Sequence, residues 1–198
     1  MDAVGYVILA AVVIVVVWIA IVVVRRRRRR GADQGDVYHL GLNAMIAGDA
    51  DAAVRHLKAA VKDDPRNIDA YIKLGNLLRG RGQTRQAIQV HRELLVKRRL
   101  PKIKKREILM SLARDLAEAK RWSELRETLR LLSRADRAEL PMLVLARDAS
   151  EGTGEFDRAV QIHKDILKAN PAGEPSLGVY RAHVARIALE GGDKARAR

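Results

Sequence analysis

Two patterns of apolar residues divide the chain. From Tyr6 to Val24 every residue is apolar or aromatic, with Val and Ile predominating. Beyond Asp33 small and apolar positions instead recur at a fixed period, broken by Gly and Pro. The first pattern predicts a transmembrane helix over residues 6–24, and the second a repeated helical array over residues 34–198.

At about 1.5 Å of rise per residue, the first run makes a helix of roughly 28 Å, close to a hydrocarbon core of about 30 Å. Its β-branched residues favour strand in water, but lipid forces each backbone group to be satisfied within the helix. A cleaved secretory signal carries positive charge before its apolar region and a small-residue cleavage site after it. Here only Asp2 is charged before the run, and Arg25, Arg26, Arg27, Arg28, Arg29 and Arg30 follow it. The order is reversed, so the segment reads as an uncleaved anchor containing Trp18. The arginines are expected on the cytoplasmic side, against lipid headgroups, leaving residues 1–5 on the far side. Residues 25–33 form a basic juxtamembrane linker.

In the second pattern, Leu40-Gly41, Ala44, Gly48, Ala53, Leu57, Ala60 and Pro65 define a first repeat. Leu74-Gly75, Leu78, Gly82, Ala87, His91 and Leu94 follow thirty-four residues later. A third, displaced by about four extra residues, reads Leu112-Ala113, Leu116, Lys120, Leu125, Leu129 and Leu132. The fourth has Ala146, Ser150, Gly154, Ala159, His163, Ile166 and Pro171, and a fifth opens with Val184-Ala185 and Ala188. Gly41, Gly75, Ala87 and Ala159 are small enough to let paired helices approach. Gly48, Gly82 and Gly154 fall where a first helix must end in a tight or left-handed turn. Pro65 and Pro171 mark breaks between repeats. This is the tetratricopeptide spacing. The fold class is therefore all-α, an N-terminal transmembrane helix and then an α-solenoid of about four and a half helix pairs. Repeats are expected near 34–67, 68–101, 106–139, 140–173 and, incomplete, 178–198. Such arrays offer a concave groove lined by first helices, which binds proteins or peptides rather than doing chemistry.

With anchor and repeats placed, the chain resembles the lipopolysaccharide assembly protein B family. The resemblance rests on the order of parts and on Leu74-Gly75-Asn76-Leu77-Leu78-Arg79-Gly80-Arg81-Gly82, continued by Arg85 to His91 and Leu94. Arg158 to His163 gives a weaker echo. It implies a single-pass protein of the bacterial inner membrane with its repeats in the cytoplasm. It also implies an adaptor that brings an enzyme of lipid A synthesis to a membrane AAA protease. Only the N-terminal half of a family member is covered. The family's C-terminal rubredoxin-like domain, which binds a metal through four cysteines, is not in these residues, so no cofactor is expected here. The chain is expected to be a fragment or a truncated product, since natural arrays close with a polar cap. A general tetratricopeptide scaffold for envelope assembly, unrelated to lipopolysaccharide, is the alternative.

Composition narrows this further. The 198 residues include no cysteine, which removes disulfides and thiolate-bound metals. The formal charge is +14, which suits anionic lipid as well as nucleic acid. The basic stretch Lys97 to Arg106 lacks interleaved aromatics for base stacking, so nucleic acid is not expected as a partner. That stretch carries the four extra residues and, with Pro101 inside it, reads as a loop. No His-Glu-x-x-His, phosphate loop or nucleophile elbow occurs, and no enzymatic role is expected. His91 and His163 share one repeat position and lie roughly 20 Å apart in a stack of helix pairs, too far to share a metal. Trp122 and Phe156 are expected to pack just past helix-pair turns. The candidate groove residues are Lys73, Asn76 and Arg79, then Arg114 and Asp148, a set able to grip a carboxylate or an acidic peptide.

Overall fold

The computed structural model describes residues 15–22, 37–96 and 100–191. Most of the apolar run at 6–24, and all of Arg25 to Arg30, lie outside them. Within the run, residues 15–22 are helical, and Trp18 is 63% exposed. No helix among the described residues is long and apolar enough to cross a membrane. The chain divides into two compact units, Met1–Ala70 and Tyr71–Arg198.

The first unit holds one helix pair, α1 (37–46) and α2 (Ala50–Asp63). Gly41 lies so close to α2 that an added Cβ would sit 3.0 Å from the Leu57 side chain. Ala53, Leu57 and Ala60 form the buried stripe of α2. The Asp49 carboxylate accepts from Ala52 N–H at 2.8 Å, capping the helix start. Pro65 lies in the turn that follows, and Asn67 caps the next helix by accepting from Ala70 N–H at 2.9 Å.

That next helix, α3 (Ile68–Gly80), opens the second unit from Tyr71 onward. It is followed by α4 (Thr84–Val96), α5 (Lys102–Glu118), α6 (Trp122–Arg130), the short α7 (Arg134–Arg137), α8 (Leu140–Gly152), α9 (Phe156–Ala169) and α10 (Leu177–Glu190). Neighbours in the chain pack in order, α4 on α5, α5 on α6, α6 on α8, α8 on α9 and α9 on α10. One core joins Ile88, Leu109, Leu112, Leu116, Leu125, Leu129 and Met142, and a second joins Phe156, Tyr180, Val184 and Ala188. Trp122 packs against the first core, and Phe156 is buried in the second, as expected for both. All described elements are helical, and the pairs follow the repeat. The second helix expected beyond Gly191 lies outside the described residues.

The turns inside the pairs share one geometry. Gly48, Gly82 and Gly154 have φ of 76°, 73° and 74°, the left-handed region that the repeat position predicts. Lys120 occupies the same position in the third repeat and adopts φ 54°. Each of the four donates its N–H three residues back, and the following residue donates five back, as in Gly82 to Arg79 and Gln83 to Leu78. A Cβ makes this conformation costly for lysine, yet the turn still forms because both flanking helices are buried against the core.

One expectation at the third repeat needs correction. The basic stretch to Arg106 is not a loop throughout. Lys105 N–H bonds the Pro101 carbonyl at 3.0 Å, and residues 102–106 form the first turns of α5. Pro101 stands at the cap, where its missing N–H costs nothing, so the extra residues lengthen a helix and the repeat begins at 102 rather than 106. The second helix of that repeat is also short. α6 ends at Arg130 although Leu132 is buried, because Ser133 caps a new helix by accepting from Asp136 N–H at 3.1 Å.

Candidate partner-binding surface

The predicted groove residues sit on first helices, and three of them occupy equivalent positions: Asn76 on α3, Arg114 on α5 and Asp148 on α8. Lys73 and Arg114 are exposed. Asn76 and Arg79 are half-buried and already engaged. The Arg79 guanidinium donates to Asp115 Oδ1 at 2.7 Å, to Asn76 Oδ1 at 3.2 Å and to the Ser111 carbonyl at 3.4 Å. This arginine ties α3 to α5.

Asp115 is the centre of that tie. It is 0% exposed, and its other oxygen receives the imidazole of His91 at 2.6 Å from Nδ1 to Oδ2. A buried carboxylate needs opposite charge and donors on both oxygens, and Arg79 and His91 supply them from the preceding repeat. His91 is itself wholly buried, with Nε2 left without a hydrogen-bond partner. Room for its ring exists because residue 75 is glycine.

His163, seventy-two residues further on, solves the same problem differently. The residue matching Gly75 is Arg147, whose guanidinium approaches His163 Nδ1 at 3.5 Å. The residue matching Asp115 is Ile187, which offers no acceptor, so Nε2 turns to the Pro175 carbonyl at 2.9 Å. The ring stacks on Tyr180 with centroids 3.8 Å apart. Arg147 also pairs with Glu174 at 2.8 Å and with Asp148 at 3.2 Å. Burial works to lower the Arg147 pKa, but the Glu174 hydrogen bond and the charge of Asp148 outweigh it and raise it. Burial pushes the Asp148 carboxyl above its ordinary range, against the pull of Arg147. Burial and then the Glu151 hydrogen bond raise the Tyr180 hydroxyl as well.

Of the five groove residues, then, Arg79, Asn76 and Asp148 serve contacts within the fold, while Lys73 and Arg114 face outward. Sequence reasoning missed Asp115, Arg147 and Tyr180. An acid inside the apolar run Ile108 to Leu116 was the one available signal, and it marked Asp115. Among the described residues no group of three or more His, Cys, Asp or Glu side chains could hold a metal ion.

Helix pairs of this spacing, joined by left-handed turns and closed by residues reaching into the next repeat, define a tetratricopeptide-repeat domain. The tetratricopeptide repeat family model matches residues 44–104. Over 131 residues the chain is 24% identical to lipopolysaccharide assembly protein B of Escherichia coli (strain K12), covering 66% of this chain and 34% of that protein. The same figures hold for the Escherichia coli O157:H7 protein. The chain therefore spans about a third of the length of the curated relatives it matches. Among solved structures, a crystal structure of MamA superposes with a TM-score of 0.67 at 17% identity, covering 84% of this chain and 87% of that one. MamA from Desulfovibrio magneticus RS-1 gives 0.65 at 16%, covering 83% and 89%. A tetratricopeptide repeat protein from Parabacteroides merdae ATCC 43184 gives 0.62 at 17%, covering 83% and 62%. These likenesses establish the fold.

Proposed function

We propose that the chain is a non-catalytic, membrane-anchored adaptor of the bacterial inner membrane that takes part in lipopolysaccharide synthesis and assembly. In this reading residues 6–24 span the bilayer, and Arg25 to Arg30 lie at the cytoplasmic headgroups. The repeats hold partner proteins, an enzyme of lipid A synthesis and a membrane AAA protease, without a cofactor. The supporting observation is the order of parts. An apolar run and a basic cluster precede helix pairs that are similar over 131 residues to lipopolysaccharide assembly protein B. An anchor of this kind confines both partners to one plane and raises their effective concentration without a tight contact.

A second reading, a general scaffold for membrane-complex assembly, is supported by the helix-pair fold itself, which presents a protein-binding surface whatever the partner. Crosslinking and affinity capture of the full chain from native membranes separates the two. The first reading expects a membrane protease and a lipid A enzyme in the eluate. Partners of neither kind favour the general scaffold. Recovery of the chain in the cytosolic fraction, unattached to membrane, overturns both.

A further inference from the structure

The second helices α2, α4 and α9 run 14, 13 and 14 residues, whereas α6 has nine. Beside its early end, α6, α7, α8 and α9 enclose a cleft of about 390 Å³. Four arginines wall it, Arg126 and Arg130 from α6, Arg137 from α7 and Arg158 from α9. Half-buried Ala146 and the arginine stems supply its apolar lining, above the buried side chains of Leu129 and Met142.

The charges in this cleft do not balance. Glu155 pairs with Arg126 and, at 3.3 Å, with Arg158, so one carboxylate serves two guanidinium groups. Arg137 donates to the backbone carbonyl of Arg130 at 3.3 Å. The Arg130 guanidinium has no hydrogen bond or ion pair among the described residues. Four cations thus converge on a single anion in a concave site, where low-dielectric walls focus the field. Guanidinium forks match carboxylates with two parallel hydrogen bonds, and the apolar stems beside them can pack an apolar group carried next to those carboxylates.

We propose that this cleft receives an acidic segment of a partner protein, with its carboxylates on Arg130 and Arg137 and a neighbouring apolar side chain against Ala146 and the arginine stems. The proposal rests on the adaptor reading and supplies its contact point, which lies apart from the groove positions on α3. The spread of four arginines around about 390 Å³ suits a chain segment with several carboxylates better than a single bare phosphate. No aromatic ring lines the cleft to stack a base.

The test measures fluorescence anisotropy of a fluorescein-labelled peptide, Glu-Leu-Glu-Glu-Leu-Glu, titrated with the full chain in mild detergent. Binding is expected to weaken about tenfold or more in Arg130→Gln/Arg137→Gln, and equally when the peptide's glutamates become glutamines. It should also fall with added salt. Arg134→Gln, an exposed arginine of α7 outside the cleft, is expected to bind as the wild type does. Circular dichroism checks that all three proteins share one helix content. Equal peptide affinity in the wild type and the double variant overturns the proposal. So does binding of inorganic phosphate or phosphatidylglycerol vesicles that needs Arg130 and Arg137 while the peptide does not bind. Capture from membranes keeps the two readings distinct. Partners recovered equally with wild type and double variant overturn the cleft assignment and leave the adaptor standing. Arginine-dependent peptide binding with no partner recovered overturns the adaptor reading alone.

Discussion

Gly75 faces the imidazole of His91 so closely that a Cβ on residue 75 would lie 2.5 Å from both Cε1 and Nε2 of the ring. The ring cannot retreat, because it is wholly buried and its Nδ1 is held by Asp115. Gly75→Ala would gain helix propensity of about 1 kcal/mol in an open position, but here overpacking of about 1–3 kcal/mol opposes it. The expected result is a net loss of stability in urea denaturation. Adding His91→Ala should give a total loss smaller than the sum of the two single losses, since the second change removes the clash. Strict additivity would show that ring and glycine do not meet.

Asp115 holds two repeats together through Arg79 and His91. Removing it leaves a guanidinium and an imidazole facing each other without an acceptor. Asp115→Ala is therefore expected to cost about 3–5 kcal/mol, the range for breaking a buried pair from one side. Arg114→Ala, one residue away and exposed, should change stability by less than about 0.5 kcal/mol. Thermal denaturation of the two variants side by side measures the difference. Similar melting temperatures would mean that the Asp115 tie contributes little.

What could be read in advance follows from how local each feature is. Gly48, Gly82 and Gly154 announce left-handed turns because the requirement is met by the residue itself. Ala87 and Ala159 announce close helix contacts for the same reason. The role of Arg79 was not legible, because it depends on Asp115, thirty-six residues away on another helix, and nothing local to Arg79 names that partner. The early end of α6 was hidden by Leu125, Leu129 and Leu132, which continue an apolar spacing after the helix has stopped. The competing cap at Ser133 decides that boundary. The start of α5 was missed because Pro101 reads equally as a helix breaker and as a helix start. Extra basic residues do not tell the two apart.

Lys120 is the exception among the four turns, and it gives a stabilising substitution. At φ 54° its Cβ crowds the backbone, a strain of about 1 kcal/mol that glycine avoids. The side chain is exposed and no hydrogen bond or ion pair anchors it, so little is lost by removing it. Lys120→Gly is expected to raise stability by a few tenths to about 1 kcal/mol, after the entropy of the added glycine is counted. Gly82→Ala, the converse change, should lower it by about 1 kcal/mol. A lower melting temperature for Lys120→Gly would place the lysine's stabilising contacts above its backbone strain.

Two aspartates give pH effects of opposite sign. The Ser133 hydroxyl first, and then Arg106 at 2.5 Å, hold the Asp136 carboxyl below its ordinary range. Its ionised form is therefore favoured by folding. The stability it contributes is present above the unfolded pKa of about 3.9 and is lost as pH falls through the lower folded value. Burial raises the Asp148 carboxyl, so its ionised form opposes folding. That cost is present above the raised folded pKa and disappears as pH falls below the unfolded value of about 3.9. At pH near 7, Asp136→Asn is expected to melt below the wild type and Asp148→Asn above it. Both differences should shrink as the pH is lowered into the carboxylate range, from opposite sides. Melting curves between neutral and acid pH test this, and two variants displaced in the same direction at neutral pH would show that Arg147 offsets the burial of Asp148.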